Sequence, residues 1–145
     1  MESSKVYTVF EVLASAARAA TDNGSAARLP QVPRGIVFTL DVTAAGTLVG
    51  DTLDVKIQTK LDGINWEDVC HFTQVAGNGG AKRFYFNIYG GVSYILGGAA
   101  EFAGGAALGA GNFRSIFGDE WRAVWTVVNG GGTHSFTFAV KALAY

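Results

Sequence analysis

The sequence predicts an all-β domain: an antiparallel β-sandwich or jelly roll of seven to eight strands, with a long Gly/Ala-rich insert. Three observations predict it. Apolar and polar residues alternate with period 2 in segment after segment, while helical periodicity hardly occurs. Turn dipeptides and glycine clusters separate these segments at regular spacing. The 145 residues suit one domain, 1–145, with a core that needs no cross-links.

The first strand is expected over 7–13 (YTVFEVL), where aromatic and β-branched residues are dense. Residues 14–20 could turn helical, and 21–25 (TDNGS) carry turn chemistry. Pro30 and Pro33 bracket an extended approach to the next strand, and 1–34 reads as an N-terminal arm or a docked strand. Over 35–43 (GIVFTLDVT), Ile36, Phe38, Leu40 and Val42 share a face. Over 51–60, Leu53, Val55, Ile57 and Thr59 point one way and Thr52, Asp54, Lys56 and Gln58 the other. Asp62-Gly63 reverses the chain into a strand over 66–75, and Gly77 to Gly80 make the next turn. Over 82–89, Phe84, Phe86 and Ile88 line up. Over 121–128, Trp121, Ala123, Trp125 and Val127 share a face, and 134–141 returns with Phe136, Phe138 and Val140. No strand–helix alternation supports a parallel sheet.

Composition narrows function. Charged residues are 16% and net charge is -1, so no basic excess exists for neutralising phosphates and no direct nucleic-acid partner is expected. There are 20 glycines, about twice the usual share of ~7%. A surface so short of charge suggests that partners cover part of it. The single Cys70 allows no internal disulfide and suits folding in a reducing cytoplasm. Residues 6–20 loosely mimic a secretory signal, but Glu2 and Glu11 break the pattern. Residues 90–118, interrupted by Glu101 and Arg114, lack the ~18 consecutive apolar residues of a membrane span. No membrane association is expected.

Residues 90–118 have a composition of their own. Glycines punctuate Ile95, Leu96, Phe102, Leu108, Phe113, Ile116 and Phe117. A loop this long is unusual within a domain, and its apolar content disfavours exposure to water. One reading is a contact segment ordered against neighbouring subunits, with these residues and Arg114 as the interface. Another is an irregular pair of strands finishing the sandwich. The two are compatible.

Nothing in the sequence points to catalysis. His71, His134 and Cys70 lack the spacing of a zinc site, and Asp51, Asp54, Asp62, Glu67 and Asp68 lack that of a calcium loop. These acids read as solvated strand edges, and His71 as a hydrogen-bonded or surface histidine. No nucleophile elbow, phosphate loop or metalloprotease helix is present. The expectation is a protein that is not an enzyme, with no catalytic residues, no cofactor and no metal. Trp66 can cover the open end of the sandwich, and Trp66, Trp121 and Trp125 alike read as core or core-rim packing.

The segment 40–75 (LDVTAAGTLVGDTLDVKIQTKLDGINWEDVCHFTQV), followed by GNGGAKR, resembles a recurrent type of tailed-bacteriophage jelly-roll virion protein. The C-terminal WRAVWTVVNG and SFTFAV blocks look like the matching closing hairpin. The resemblance covers about half the chain and its motifs are structural. It implies a capsid decoration or cement protein seated on the major capsid protein shell of the phage head, commonly as a homotrimer. It likewise implies a place on the capsid surface of the virion after assembly in the host cytoplasm. Residues 14–29 and the insert have no equivalent in that pattern. Arg83, Arg114 and Arg122 could pair with acids of neighbouring subunits. The competing expectation is a carbohydrate-binding jelly-roll module of a tail fibre or spike, which needs an exposed aromatic ring as a platform.

Overall fold

Successive side chains of a strand point to opposite faces, so a period-2 segment buries one face and leaves the other to solvent. Two sheets of such strands must therefore stack. The computed structural model describes residues 8–29, 33–89 and 102–145. Its elements run β1 (Thr8–Arg18), β2 (Asp22–Asn23), β3 (Ala27–Arg28), β4 (Gly35–Ala44), β5 (Thr52–Lys60), β6 (Trp66–His71) and β7 (Val75–Ala76). A 3-10 turn (Gly77–Gly79), β8 (Lys82–Tyr89), β9 (Glu120–Val128) and β10 (Phe136–Ala144) follow. One sheet has the order β1-β10-β4-β8. The other has β2-β9-β5-β6, with β3 also on β9 and β7 also on β5. Every pairing is antiparallel.

The core lies between the sheets. Ile36, Phe38, Leu40 and Val42 of β4 face Leu53, Val55 and Ile57 of β5 and Trp121, Ala123 and Trp125 of β9 within one buried cluster. Aromatic contacts bridge the layers: Phe38 to Trp121 at 5.4 Å and Trp125 to Phe138 at 5.8 Å between ring centroids. Trp121 is fully buried, and its Nε1 has no hydrogen-bond partner among the described residues. Thr59, the polar residue on the inward face of β5, donates its hydroxyl to Glu120 O at 2.7 Å and accepts from Gly118 N at 3.1 Å.

Several boundaries differ from expectation. Residues 14–18 continue β1 as strand instead of turning helical. Alanine is the best intrinsic helix former, but propensity amounts to little per residue, and pairing with β10, at Ala16 with Phe138 and Arg18 with Phe136, overrides it. Arg18 locks this stretch by donating to Ala14 O, Ala16 O and Phe138 O while lying over the Trp125 and Phe138 rings. From residue 8 the segment read as an arm belongs to the sandwich: β1 edges one sheet, and β2 and β3 edge the other. The turn at 21–25 includes β2. The strand expected over 66–75 divides into β6 and β7. Trp66 pairs with Lys60 and shares its outward face, instead of closing an open end.

Candidate functional site

A sheet edge carries unpaired backbone groups that must find partners. At β6, residues of the insert supply them. Arg114 N donates to Val69 O at 2.7 Å and Gly111 N to His71 O at 2.7 Å, while His71 N donates to Asn112 O at 3.0 Å. Phe113 makes a bridge to Cys70. Side chains of β6 reinforce the contact. Glu67 accepts from Gly105 N at 2.8 Å, and Asp68 accepts from Leu108 N at 3.0 Å. Arg114 donates to Asp68 O at 3.1 Å and Ala106 O at 3.0 Å and lies over the Phe102 ring at 4.5 Å. Both ring nitrogens of His71 face acceptors, Leu108 O at 2.9 Å and Asp54 Oδ1 at 3.0 Å. A neutral imidazole donates from one nitrogen only, an imidazolium from both.

Burial acts to raise the Asp68 carboxyl, but bonds from Gln58, Leu108 N–H and Lys56 outweigh it and hold it below the usual range. Burial pushes the Cys70 thiol far up, which leaves it unreactive.

The residues named as an interface therefore have distinct positions. Ile95 and Leu96 lie outside the described residues. Ile116 and Phe117 pack against the chain's own core, with Phe117 6.0 Å from Trp121 between centroids. Phe102, Leu108 and Arg114 belong to the clasp on β6. Phe113 packs on Phe86 at 6.1 Å yet stays 52% exposed.

The outward face of the second sheet carries ion pairs formed within the chain. Lys56 pairs with Asp68 at 3.2 Å, Lys60 with Glu120 at 3.1 Å, and Arg28 with Glu120 at 2.7 Å and Asp119 at 3.2 Å. Arg28 first, and Lys60 with it, hold the Glu120 carboxyl down. Arg122 donates to Gln58 and, with Lys60, lies over the Trp66 ring. On the other sheet Arg83 pairs with Asp41 at 3.3 Å. Arg83, Arg114 and Arg122 all find their partners within the chain.

The outward face of the first sheet carries tyrosines. Tyr85 is 61% and Tyr89 48% exposed. Asn87 stands between them, donating to Tyr89 OH at 2.8 Å and accepting from Tyr145 OH at 3.0 Å.

The loops 44–51, 73–81 and 128–133 converge at one end of the sandwich around Asp51. Its carboxylate accepts from Gly130 N at 2.8 Å, Leu48 N at 3.1 Å, Gly132 N at 3.3 Å and Thr47 N at 3.4 Å. Its carbonyl accepts from Gly77 N at 2.6 Å. Burial opposes ionisation, but these backbone donors win and hold the carboxyl below its ordinary value. Close approach explains the local glycines: a Cβ on Gly130 would strike the Gly50 backbone, and one on Gly77 would strike Leu48 O and Asp51. Asp51 is thus a buried clamp, where the sequence suggested a solvated strand edge. The missed signal was the clustering of glycine at 46, 50, 77, 79, 80 and 130–132. This frame holds Leu48, Val49 and Val128 in water, with Val49 69% exposed.

Among the described residues no three His, Cys, Asp or Glu side chains gather as a metal site. No family model, curated protein or solved structure matches the chain.

Proposed function

We propose that this chain is a structural virion protein, a decoration protein that binds the major capsid protein shell of a tailed-phage head and stabilises it, working as a homotrimer. One observation carries the reading. A sandwich that pairs Arg28, Lys56, Lys60 and Arg83 with acids of its own chain keeps large apolar side chains in water at its ends and edges, including Val49, Ile64 and Phe113. Such side chains mark contact surfaces on soluble folds. Two further points support it. The two sequence blocks that resemble phage virion proteins supply β5, β6, nearly all of β9 and parts of β4 and β10, the central strands of the fold together with the β6 edge. Counting β2 with β3 and β6 with β7, the chain switches sheets at every step except β5 to β6, an order that supports the jelly-roll reading.

The test is co-sedimentation with capsids of the phage that encodes the chain, before and after expansion, alongside the mass of the free protein. Saturable binding in hundreds of copies per capsid and a trimeric mass are expected. Indifference to both capsid forms would end the decoration reading.

A carbohydrate-binding role has one specific observation in its favour. Tyr85 and Tyr89 present exposed rings on one sheet face, and sugars stack on such rings. Trp121 and Trp125 are buried and Trp66 lies on the other sheet from these tyrosines, so a glycan array is a better probe than tryptophan fluorescence. A specific sugar hit abolished by Tyr85→Ala, without capsid binding, would favour it.

A further inference from the structure

We propose that His71 is a proton-dependent catch on the clasp: protonated at both ring nitrogens it ties residues 104–114 to β5, and loss of one proton loosens that hold. His71 is buried on β6 between the insert and β5, with Leu108 O 2.9 Å from Nδ1 and Asp54 Oδ1 3.0 Å from Nε2. A neutral ring carries one N–H, so its other nitrogen would set a lone pair against an oxygen; only the imidazolium donates to both. Both oxygens are held in place. Leu108 N is bonded to Asp68 Oδ2 at 3.0 Å, and Gln74 Nε2 donates to Asp54 Oδ2 at 2.7 Å.

The neighbouring charges leave the proton's effect to this contact. On β5, Asp54 faces the ring, and Lys56, the register partner of His71, turns its Nζ to Asp68 at 3.2 Å. On β6, Asp68 accepts from Gln58 and Leu108 N as well as from Lys56. On β9, uncharged Val124 and Thr126 stand opposite Lys56 and Asp54. Residues 104–113 of the insert include no Asp, Glu, Lys or Arg, and Arg114 is engaged with Asp68 O and Ala106 O. Among the described residues His71 is the one basic partner of Asp54. Protonation therefore completes the second hydrogen bond and turns the Asp54 contact into an ion pair. The extra hold is full below about pH 6.5, the value of a free histidine, and is lost as pH rises and the ring gives up a proton. Opening uncovers the β6 edge, because Val69 O, His71 N and His71 O lose Arg114 N, Asn112 O and Gly111 N.

The experiment is hydrogen exchange of the full chain at about pH 5 and about pH 8, above the ordinary carboxylate range and on either side of histidine's. Each rate is expressed as protection relative to an unfolded chain at the same pH. The amides of Gly105, Leu108, Gly111 and Arg114, all bonded within the clasp, are expected to be about tenfold better protected at the lower pH. Amides of β4 and β9 are expected to hold their protection. His71→Gln, which has no proton to gain, is expected to show the weaker clasp protection at both pH values. His134→Gln, which removes the other histidine, is expected to respond like wild type. Clasp protection that ignores pH in the wild type overturns the catch, as does a pH response that survives in His71→Gln. An equal change in β4 and β9 also overturns it, since the whole fold would then be responding. Should His71→Gln not fold, an NMR titration of the wild type decides: the His71 ring and the Leu108 and Gly111 amides are expected to shift with one common midpoint. Clasp amides that do not follow the ring would sink the proposal.

Discussion

Replacing Arg114 by alanine should open the clasp on β6 while leaving the sandwich folded. The guanidinium makes two hydrogen bonds from Nη1, to Asp68 O and Ala106 O, and lies on the Phe102 ring. Bonds to charged groups contribute about 1.5–3 kcal/mol each, but these two share a nitrogen and the site is half-open to water. Taking the low end, with about 0.5–1 kcal/mol for the ring contact, the loss is about 2–3 kcal/mol. At 1.4 kcal/mol per decade, opening becomes about 30- to 150-fold more frequent. Native-state hydrogen exchange reads this directly, because the amides of Gly105, Leu108, Gly111 and Arg114 are bonded within the clasp. Their exchange should accelerate by that factor, while amides of β4, β5, β9 and β10 keep their protection. Unchanged exchange would refute the clasp as an arginine-dependent unit. Equal acceleration everywhere would show that Arg114 supports the whole fold instead.

Other positions make separate demands. Asp51 is ionised more readily in the folded chain than in the unfolded one, so its contribution is full above about pH 4, the unfolded value, and is lost as pH falls through the lower folded value. Asp51→Asn should lower the wild-type melting temperature at pH 7 and flatten its decline in acid, as followed by circular dichroism. Gly130→Ala drives a methyl into the Gly50 backbone and should cost about 1–3 kcal/mol in urea unfolding. Gly104→Ala, where the nearest atom is Glu67 Oε1 at 3.5 Å, should be tolerated by comparison. Phe38→Ala removes a fully buried ring packed on Trp121; the unfolding midpoint should fall by the equivalent of about 3–5 kcal/mol.

The inward faces of β4, β5, β9 and β10 were legible because period-2 alternation is a local property. Ile36, Phe38, Leu40 and Val42 could hardly point elsewhere once that segment was extended. The pairings that hold residues 14–18 as strand were not legible, since the partner Phe136–Phe138 lies more than a hundred residues away. The role of Asp51 was hidden for a related reason. A lone acid at the start of a strand reads as solvated until Gly130 and Gly132 bring their N–H groups to it from the other end of the chain.

The insert marks the boundary between the two kinds of information. Its composition alone required that the apolar side chains be covered, because water penalises their exposure whatever lies around them. What covers them is a matter of placement in space. Among the described residues the cover for Ile116 and Phe117 is this chain's own core. The decision rests on β6, a sheet edge whose unpaired amides and carbonyls, with Glu67, Asp68 and His71 alongside, hold the segment by hydrogen bonds that no linear pattern encodes. Period and hydrophobicity determined which faces turn inward; the meeting of distant backbone groups decided which surfaces remain in water.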